Sequence, residues 1–205
     1  LVSLDRPPGE RYARYLSLPG LDDLLRPELK AETLNDPAML ISRAWSGASG
    51  RSPVDNAMEV DVARYLPDDL LVKMDIATMA SSLEARSPLL DHELMEFAAS
   101  LPVDLKLRRM QRKRILRDAY SGVVPSEVLE GRKRGFGVPL ASWFRGSLRE
   151  HASEILLDPS TVDRGYFEES DIRALLDRHW SGRADESFQI WALLVLELWH
   201  REFTS

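Results

Sequence analysis

The chain has 205 residues, a formal net charge of −6 and 44% apolar residues, which suits one large or two small globular domains with a sizeable core. It has no cysteine, which excludes disulfides and thiolate metal sites and fits a reducing, cytoplasmic setting. The acidic balance argues against a general nucleic-acid coat, and no apolar run reaches membrane-spanning length, so neither nucleic acid nor membrane is expected as a partner.

In chain order, residues 1–9 read as a lead-in, with Pro7, Pro8 and Gly9 opposing regular structure. Glu10 to Leu18 predicts a short helix closed by Pro19-Gly20, and Leu21 to Lys30 another, interrupted near Pro27. Asp36-Pro37 reads as a cap and first turn for a helix over Ala38 to Trp45. Ser46 to Pro53, SGASGRSP, reads as a flexible loop. It resembles a phosphate-binding loop only superficially, because no apolar strand feeds it.

Val54, Ala57, Met58, Val62 and Tyr65 repeat at three and four and predict an amphipathic helix. Leu66-Pro67-Asp68-Asp69 predicts a break, followed by a second helix from Leu70 to Ser82. Asp91 reads as the N-cap of a helix over His92 to Leu101, which Pro102 ends. Arg109 to Tyr120 predicts a basic helix, and Pro125 to Leu129 one further turn. Gly131 to Pro139 reads as a glycine-hinged basic loop, and Ala141 to Leu157 as helical segments ending near Asp158-Pro159. From Ser170, residues Ile172, Leu175, Leu176 and Trp180 form one apolar face of a helix capped by Gly182. Ser187 to Phe203 is apolar nearly all round and predicts a helix buried in the core. The five tryptophans read as core. No strand, repeat or low-complexity segment is predicted, so the expected fold is mainly α, with residues 1–53 as short lead-in helices and a loop and 54–205 as the main helical part.

Two features bear on chemistry. Lys106, Arg108, Arg109, Arg112, Lys113, Arg114 and Arg117 fall close together, and Arg132, Lys133 and Arg134 follow. In an acidic chain this gives a local positive field suited to phosphate or pyrophosphate, or else a solvated basic face. Lys113 stands where a lysine can reach a phosphate as a point charge, and the Gly135-Phe136-Gly137 hinge gives the loop around Lys133 the look of a closing loop. The second feature is Glu84-Ala85-Arg86. Lys73, Ala77, Ala80 and Glu84 share one face if the preceding helix extends that far. Glu84 then reads either as a general base near an attacking amine or as half of a structural Glu–Arg pair. The four histidines, His92, His151, His179 and His200, show no metal-ligand spacing and read as surface or packing residues. No Gly-x-Ser-x-Gly elbow supports a serine hydrolase.

The blocks YLPDDLLVKMDIATMASSLEARSPLLDHELMEFAASLPVDLKLR, QRKRILRDAY and PSEVLEGRKRGFGVPLASWFRG, with the ending SFQIWALLVLELWHREF, resemble the C-terminal synthetase region of glutamine-dependent asparagine synthetases. The resemblance runs continuously from about Asp55 to Gly146 and more loosely to Phe203. It implies the helical C-terminal part of a PP-loop ATP pyrophosphatase-like α/β domain, with most of its strands missing. It also implies an activity: ATP-Mg activates the aspartate side-chain carboxylate as an adenylate, which ammonia from a glutaminase domain then amidates. On the resemblance, Glu84 is the acid–base carboxylate, Lys133 meets phosphate charge, Lys113 and Lys73 serve phosphate or nucleotide, and Asp75, Arg86 and Asp91 support substrate or structure. ATP and Mg enter as substrates, with no tightly bound cofactor and no protein metal site expected.

The family's amino-terminal cysteine and its Ser-Gly-Gly-x-Asp-Ser loop are not found in this sequence, and the first residue is Leu1. The chain is therefore expected to be the last third of a longer enzyme. Its expected partners are a glutaminase domain and a nucleotide-binding loop segment, and self-association or loose packing is expected where missing strands leave a face bare. A relative acting on another substrate, such as a β-lactam synthetase, a peptide cyclase or another amidotransferase, shares these blocks. A non-catalytic helical interaction module of the same shape would keep the helices and be indifferent to Glu84 and Lys133.

Overall fold

The computed structural model describes residues 5–18, 20–32, 37–109, 111–131 and 137–204. Helix accounts for 68% and strand for 4%, in keeping with the mainly α expectation. The chain divides into two compact units: one takes in Ser3–Ala13 and Ala38–Arg134, the other Arg14–Pro37 and Gly135–Ser205.

The helices begin with α1 (Pro8–Leu16), α2 (Leu21–Leu24), α3 (Pro27–Glu32) and α4 (Pro37–Gly47). Pro8 does not oppose α1 as expected. It stands at the first helical position, where its missing N–H has no intrahelical partner to lose. Gly9 is needed there, because a Cβ would lie 2.7 Å from the Trp45 ring. The break near Pro27 is present between α2 and α3. The Asp36 cap and Pro19 lie outside the described residues.

In the first unit, the expected break at Pro67 does not occur. α5 (Pro53–Val60), a π-helical stretch (Asp61–Leu71) and α6 (Val72–Met79) follow one another without interruption. Proline in an α-helix clashes with the carbonyl four residues earlier. Wider turns move that carbonyl away, and the Val72 N–H accordingly reaches the Pro67 carbonyl five residues back. Ser52 caps the start, its Oγ accepting the Asp55 N–H at 3.1 Å.

α6 ends earlier than expected, at Met79. The Ser82 N–H donates to the Met79 carbonyl at 2.9 Å and the Leu83 N–H to the Thr78 carbonyl at 3.0 Å, with Ser82 left-handed at φ 57. This is a Schellman cap with serine where glycine is usual. A 3₁₀ turn (Pro88–Leu90) and α7 (His92–Ser100) follow, and Asp91 caps α7 as expected by accepting the Leu94 N–H at 3.1 Å.

The expected basic helix from Arg109 is also corrected. After α8 (Val103–Lys106), β1 (Leu107–Arg108) pairs antiparallel with β2 (Gln111–Arg112), and only then does α9 (Arg114–Ala119) begin, followed by α10 (Ser126–Leu129). Arg109 and Lys113, both at φ 55, are left-handed and incompatible with a continuous helix. Among the described residues of this unit only Gly9, Ala13 and Val60 are buried. Met74, Ile76, Leu83 and Phe97 are all exposed.

The second unit holds the apolar core. α11 (Leu140–Arg145), α12 (Arg149–Leu156), α13 (Pro159–Val162), α14 (Glu169–Trp180) and α15 (Ser187–Phe203) supply most of it. Phe144, Leu156, Leu175, Leu176 and Ile190 are almost fully buried, and Leu24 joins them. The Ile172–Leu175–Leu176 face is buried as predicted, and Gly182 ends α14 at φ 74. α15 is not buried all round. Ile190, Leu193, Leu194 and Glu197 face the core, whereas Phe188, Trp191, Val195, Leu198 and Trp199 are exposed. Three of the tryptophans are not core: Trp143, Trp191 and Trp199 are 40%, 48% and 50% exposed, whereas Trp180 packs against the core.

Three polar groups are built into this core. Glu197 accepts from Arg164 Nε at 2.6 Å and Nη2 at 3.2 Å, and from Arg201 Nε at 2.8 Å. Burial pushes its carboxyl up, but the two guanidiniums outweigh burial and hold it below the ordinary glutamate value. Ser187, at the start of α15, is buried, and its N–H donates to Asp185 Oδ1 at 3.1 Å. His179 is fully buried; its Nδ1 accepts the Glu186 N–H at 3.1 Å, and its Nε2 lies 3.2 Å from the Ala141 carbonyl. Two acceptable bonds require the neutral tautomer with the proton on Nε2.

Candidate functional site

The irregular run from Leu83 to Ser87 lies between the Schellman cap of α6 and the 3₁₀ turn before α7. Both ends are therefore held by backbone hydrogen bonds, while the run itself is not helical. Glu84 sits in it, so the expected common helical face with Lys73, Ala77 and Ala80 does not exist. The helix is over before Glu84 is reached. The Glu84 carboxylate is exposed and accepts from Arg86 Nη2 at 2.6 Å. A charge-assisted bond this short orients the carboxylate, even though an exposed pair adds little stability.

The other candidates are dispersed. Lys73 pairs with Asp69 at 3.7 Å, one turn earlier, rather than with Glu84. Asp75 is exposed in the first turn of α6, and its backbone carbonyl accepts from Thr78 Oγ1 at 3.3 Å. Asp91 is engaged as the cap of α7. Lys113 is exposed in the left-handed residue just before α9. Lys133, with its flanking arginines and the Gly135-Phe136 hinge, lies outside the described residues. Among the described residues, no group of His, Asp and Glu gathers as metal ligands.

The basic run divides by geometry. Arg114 Nη1 donates to the Asp104 carbonyl at 3.2 Å, and Arg117 donates to the carbonyls of Arg112 and Leu129. These two arginines clip the segment to itself. Lys106 was grouped with the positive field, but its side chain is only 9% exposed and its Nζ lies 2.9 Å from Asp55 Oδ1. Arg108, Arg109, Arg112 and Lys113 remain as exposed cations on the hairpin and its exit. Sequence spacing gave no sign of the Lys106–Asp55 pair, because its partners lie 51 residues apart.

The asparagine synthase family model matches residues 6–201. The chain is 34% identical over 156 residues to asparagine synthetase [glutamine-hydrolyzing] 1 of Bacillus subtilis, covering 76% of this chain and 24% of that protein. It is 35% identical over 202 residues to an asparagine synthetase homologue of Mycobacterium tuberculosis, covering 95% and 30%. It is 30% identical over 121 residues to amidase chry2 of Gibberella zeae, covering 56% and 18%. No solved structure gives a significant match. The chain thus spans less than a third of the length of these curated relatives, and it belongs to the asparagine synthase family.

Proposed function

We propose that this chain contributes the helical part of the synthetase site in a longer, glutamine-hydrolysing asparagine synthetase. The observation that carries the reading is Glu84, an exposed carboxylate on a short non-helical run, anchored at both ends and paired with Arg86 at 2.6 Å. It lies within the segment matched by the family model.

In the proposed reaction, a side-chain carboxylate oxygen of aspartate attacks the α-phosphorus of ATP. The bond to the bridging oxygen breaks, and pyrophosphate leaves with Mg. Negative charge builds on phosphate oxygens, which aimed lysines stabilise; Lys133 takes that role, with Lys113 and Lys73 toward phosphate or nucleotide. Ammonia nitrogen then attacks the adenylate carbonyl carbon and AMP departs. Glu84 accepts the proton that the attacking nitrogen must lose. Arg86 orients Glu84, Asp91 holds the start of α7 beside it, and Asp75 approaches substrate. A glutaminase domain would supply the ammonia, a PP-loop-type segment would grip the nucleotide, and the reaction would run in the cytoplasm.

The match to a relative named as an amidase favours one second reading, in which the same half-site serves another carboxylate substrate. One experiment addresses both. In the full-length protein, Lys133→Ala is expected to lower aspartate-dependent ATP–pyrophosphate exchange by at least about tenfold, the scale set by one aimed charge in a transition state. An unchanged rate refutes the role of Lys133. Exchange that depends on a carboxylate other than aspartate selects the second reading.

A further inference from the structure

We propose that Lys106 is a positioning residue for the adenylation site, fixing the hairpin that presents Lys113 by locking it to the head of the long helix. The inference rests on the synthetase reading above and assigns a role to a residue outside the reacting groups.

Lys106 is the last residue of α8 and directly precedes β1. Its ammonium makes two bonds, to Asp55 Oδ1 at 2.9 Å and to the Ala99 carbonyl at 2.8 Å. Asp55 lies in the first turn of α5 and also accepts from Ser52 Oγ at 2.9 Å. Ala99 lies in the last turn of α7, among the carbonyls that lack intrahelical partners. Each charge therefore sits at the helix end whose dipole it complements, the carboxylate at an N-terminus and the ammonium at a C-terminus. With side chains only 9% and 17% exposed, the pair is not a solvated surface contact. The Lys106 bond is the foremost cause holding the Asp55 carboxyl below the ordinary aspartate range.

Three segments meet at this ammonium: the start of α5, the end of α7 and the root of the hairpin. The far side of the hairpin is held by the Arg114 and Arg117 clips. The exposed Arg108, Arg109, Arg112 and Lys113 thus project from a segment fastened at both ends. Without Lys106 the root is released, and Asp55 becomes a mostly buried carboxylate that keeps the Ser52 hydroxyl and the charge of neighbouring Arg51 but loses its ion-pair partner. A cation displaced by a fraction of an ångström loses much of its value to a transition state.

The test compares Lys106→Met, Asp55→Asn and the double variant in the full-length protein. Hydrogen–deuterium exchange over residues 107–113 and the kinetics of aspartate-dependent ATP–pyrophosphate exchange are both measured. Each single variant is expected to accelerate amide exchange in the hairpin while leaving protection in α14 and α15 unchanged. The kcat should fall about tenfold to a hundredfold with KM for aspartate unaltered. The double variant should be no worse than Lys106→Met, because the stranded carboxylate is gone. Unchanged hairpin protection overturns the proposal. A loosened hairpin with unchanged kcat in an active enzyme overturns the positioning role alone. Absence of exchange activity in the unmutated protein overturns the synthetase reading and this role together.

Discussion

His179 makes the second unit sensitive to mild acid, and the effect can be worked out from geometry. Its Nδ1 accepts the Glu186 N–H at 3.1 Å, and its Nε2 lies 3.2 Å from the Ala141 carbonyl. A proton on Nδ1 would oppose one N–H with another at the entry to α15. Burial pushes the imidazole down from its ordinary value. The Ala141 carbonyl acts the other way, Arg145 adds to the lowering, and Asp185 and Glu186 raise it, but the net direction is down. Because the folded state holds the proton less tightly, stability is full above the unfolded value near 6.5 and falls as pH drops below it. The loss between about pH 7.5 and about pH 5.5 is bounded at about 1.4 kcal/mol, the limit for an imidazole of ordinary unfolded pKa that takes up no proton in the folded chain. Ordinary carboxylates titrate below that window, and comparison with a variant lacking His179 separates it from the other three histidines. Urea unfolding followed by circular dichroism at a series of pH values measures it, with His179→Gln as the reference. The wild-type chain should lose more stability than the variant across this window, by no more than that bound. A wild-type profile no steeper than that of the variant refutes the neutral-tautomer assignment.

Arg164→Met is expected to destabilise the second unit, because Glu197 stays buried with one arginine instead of two; a lower urea midpoint at neutral pH checks this. Its penalty should shrink as pH falls through the folded-state pKa of Glu197, since the lowered carboxyl contributes stability only while ionised. Ser82→Gly is expected to stabilise the end of α6 by about 0.5–1 kcal/mol, since glycine adopts the left-handed backbone without a Cβ penalty. Slower amide exchange at Leu83 would register the gain, and faster exchange would contradict the cap.

Elements that rest on local chemistry were legible in the sequence. The Asp91 cap, the interruption before Pro27, the apolar face of α14 and the Gly182 stop each follow from residues adjacent in the chain. The failures share a cause, which is that tertiary or strain effects overrode a local rule. Proline at 67 suggests a break only if the turns must stay α-helical. The basic run has helical composition, yet left-handed Arg109 and Lys113 turn part of it into a hairpin. α15 is apolar on all sides, and composition alone does not say which side meets the core. At the candidate site, the identity of Glu84 was visible in its block, but its setting on a non-helical run beyond the end of α6 was not. The Lys106–Asp55 pair and the Glu197 triad join residues far apart in sequence, beyond the reach of any spacing argument.

The π-helical stretch from Asp61 to Leu71 also sets an angular offset. Each wide turn holds one residue more than an α-turn, so side chains after Leu71 lag behind the positions an unbroken α-helix would give them. Apolar residues before and after the stretch therefore belong to separate stripes, despite their regular numbering. Converting the stretch to α geometry at unchanged length would tighten every turn and rotate the helix beyond it. The cap at Ser82 and the run bearing Glu84 would turn with it. The direction in which Glu84 is presented is thus counted out, residue by residue, by wide turns that lie a dozen or more residues upstream of it.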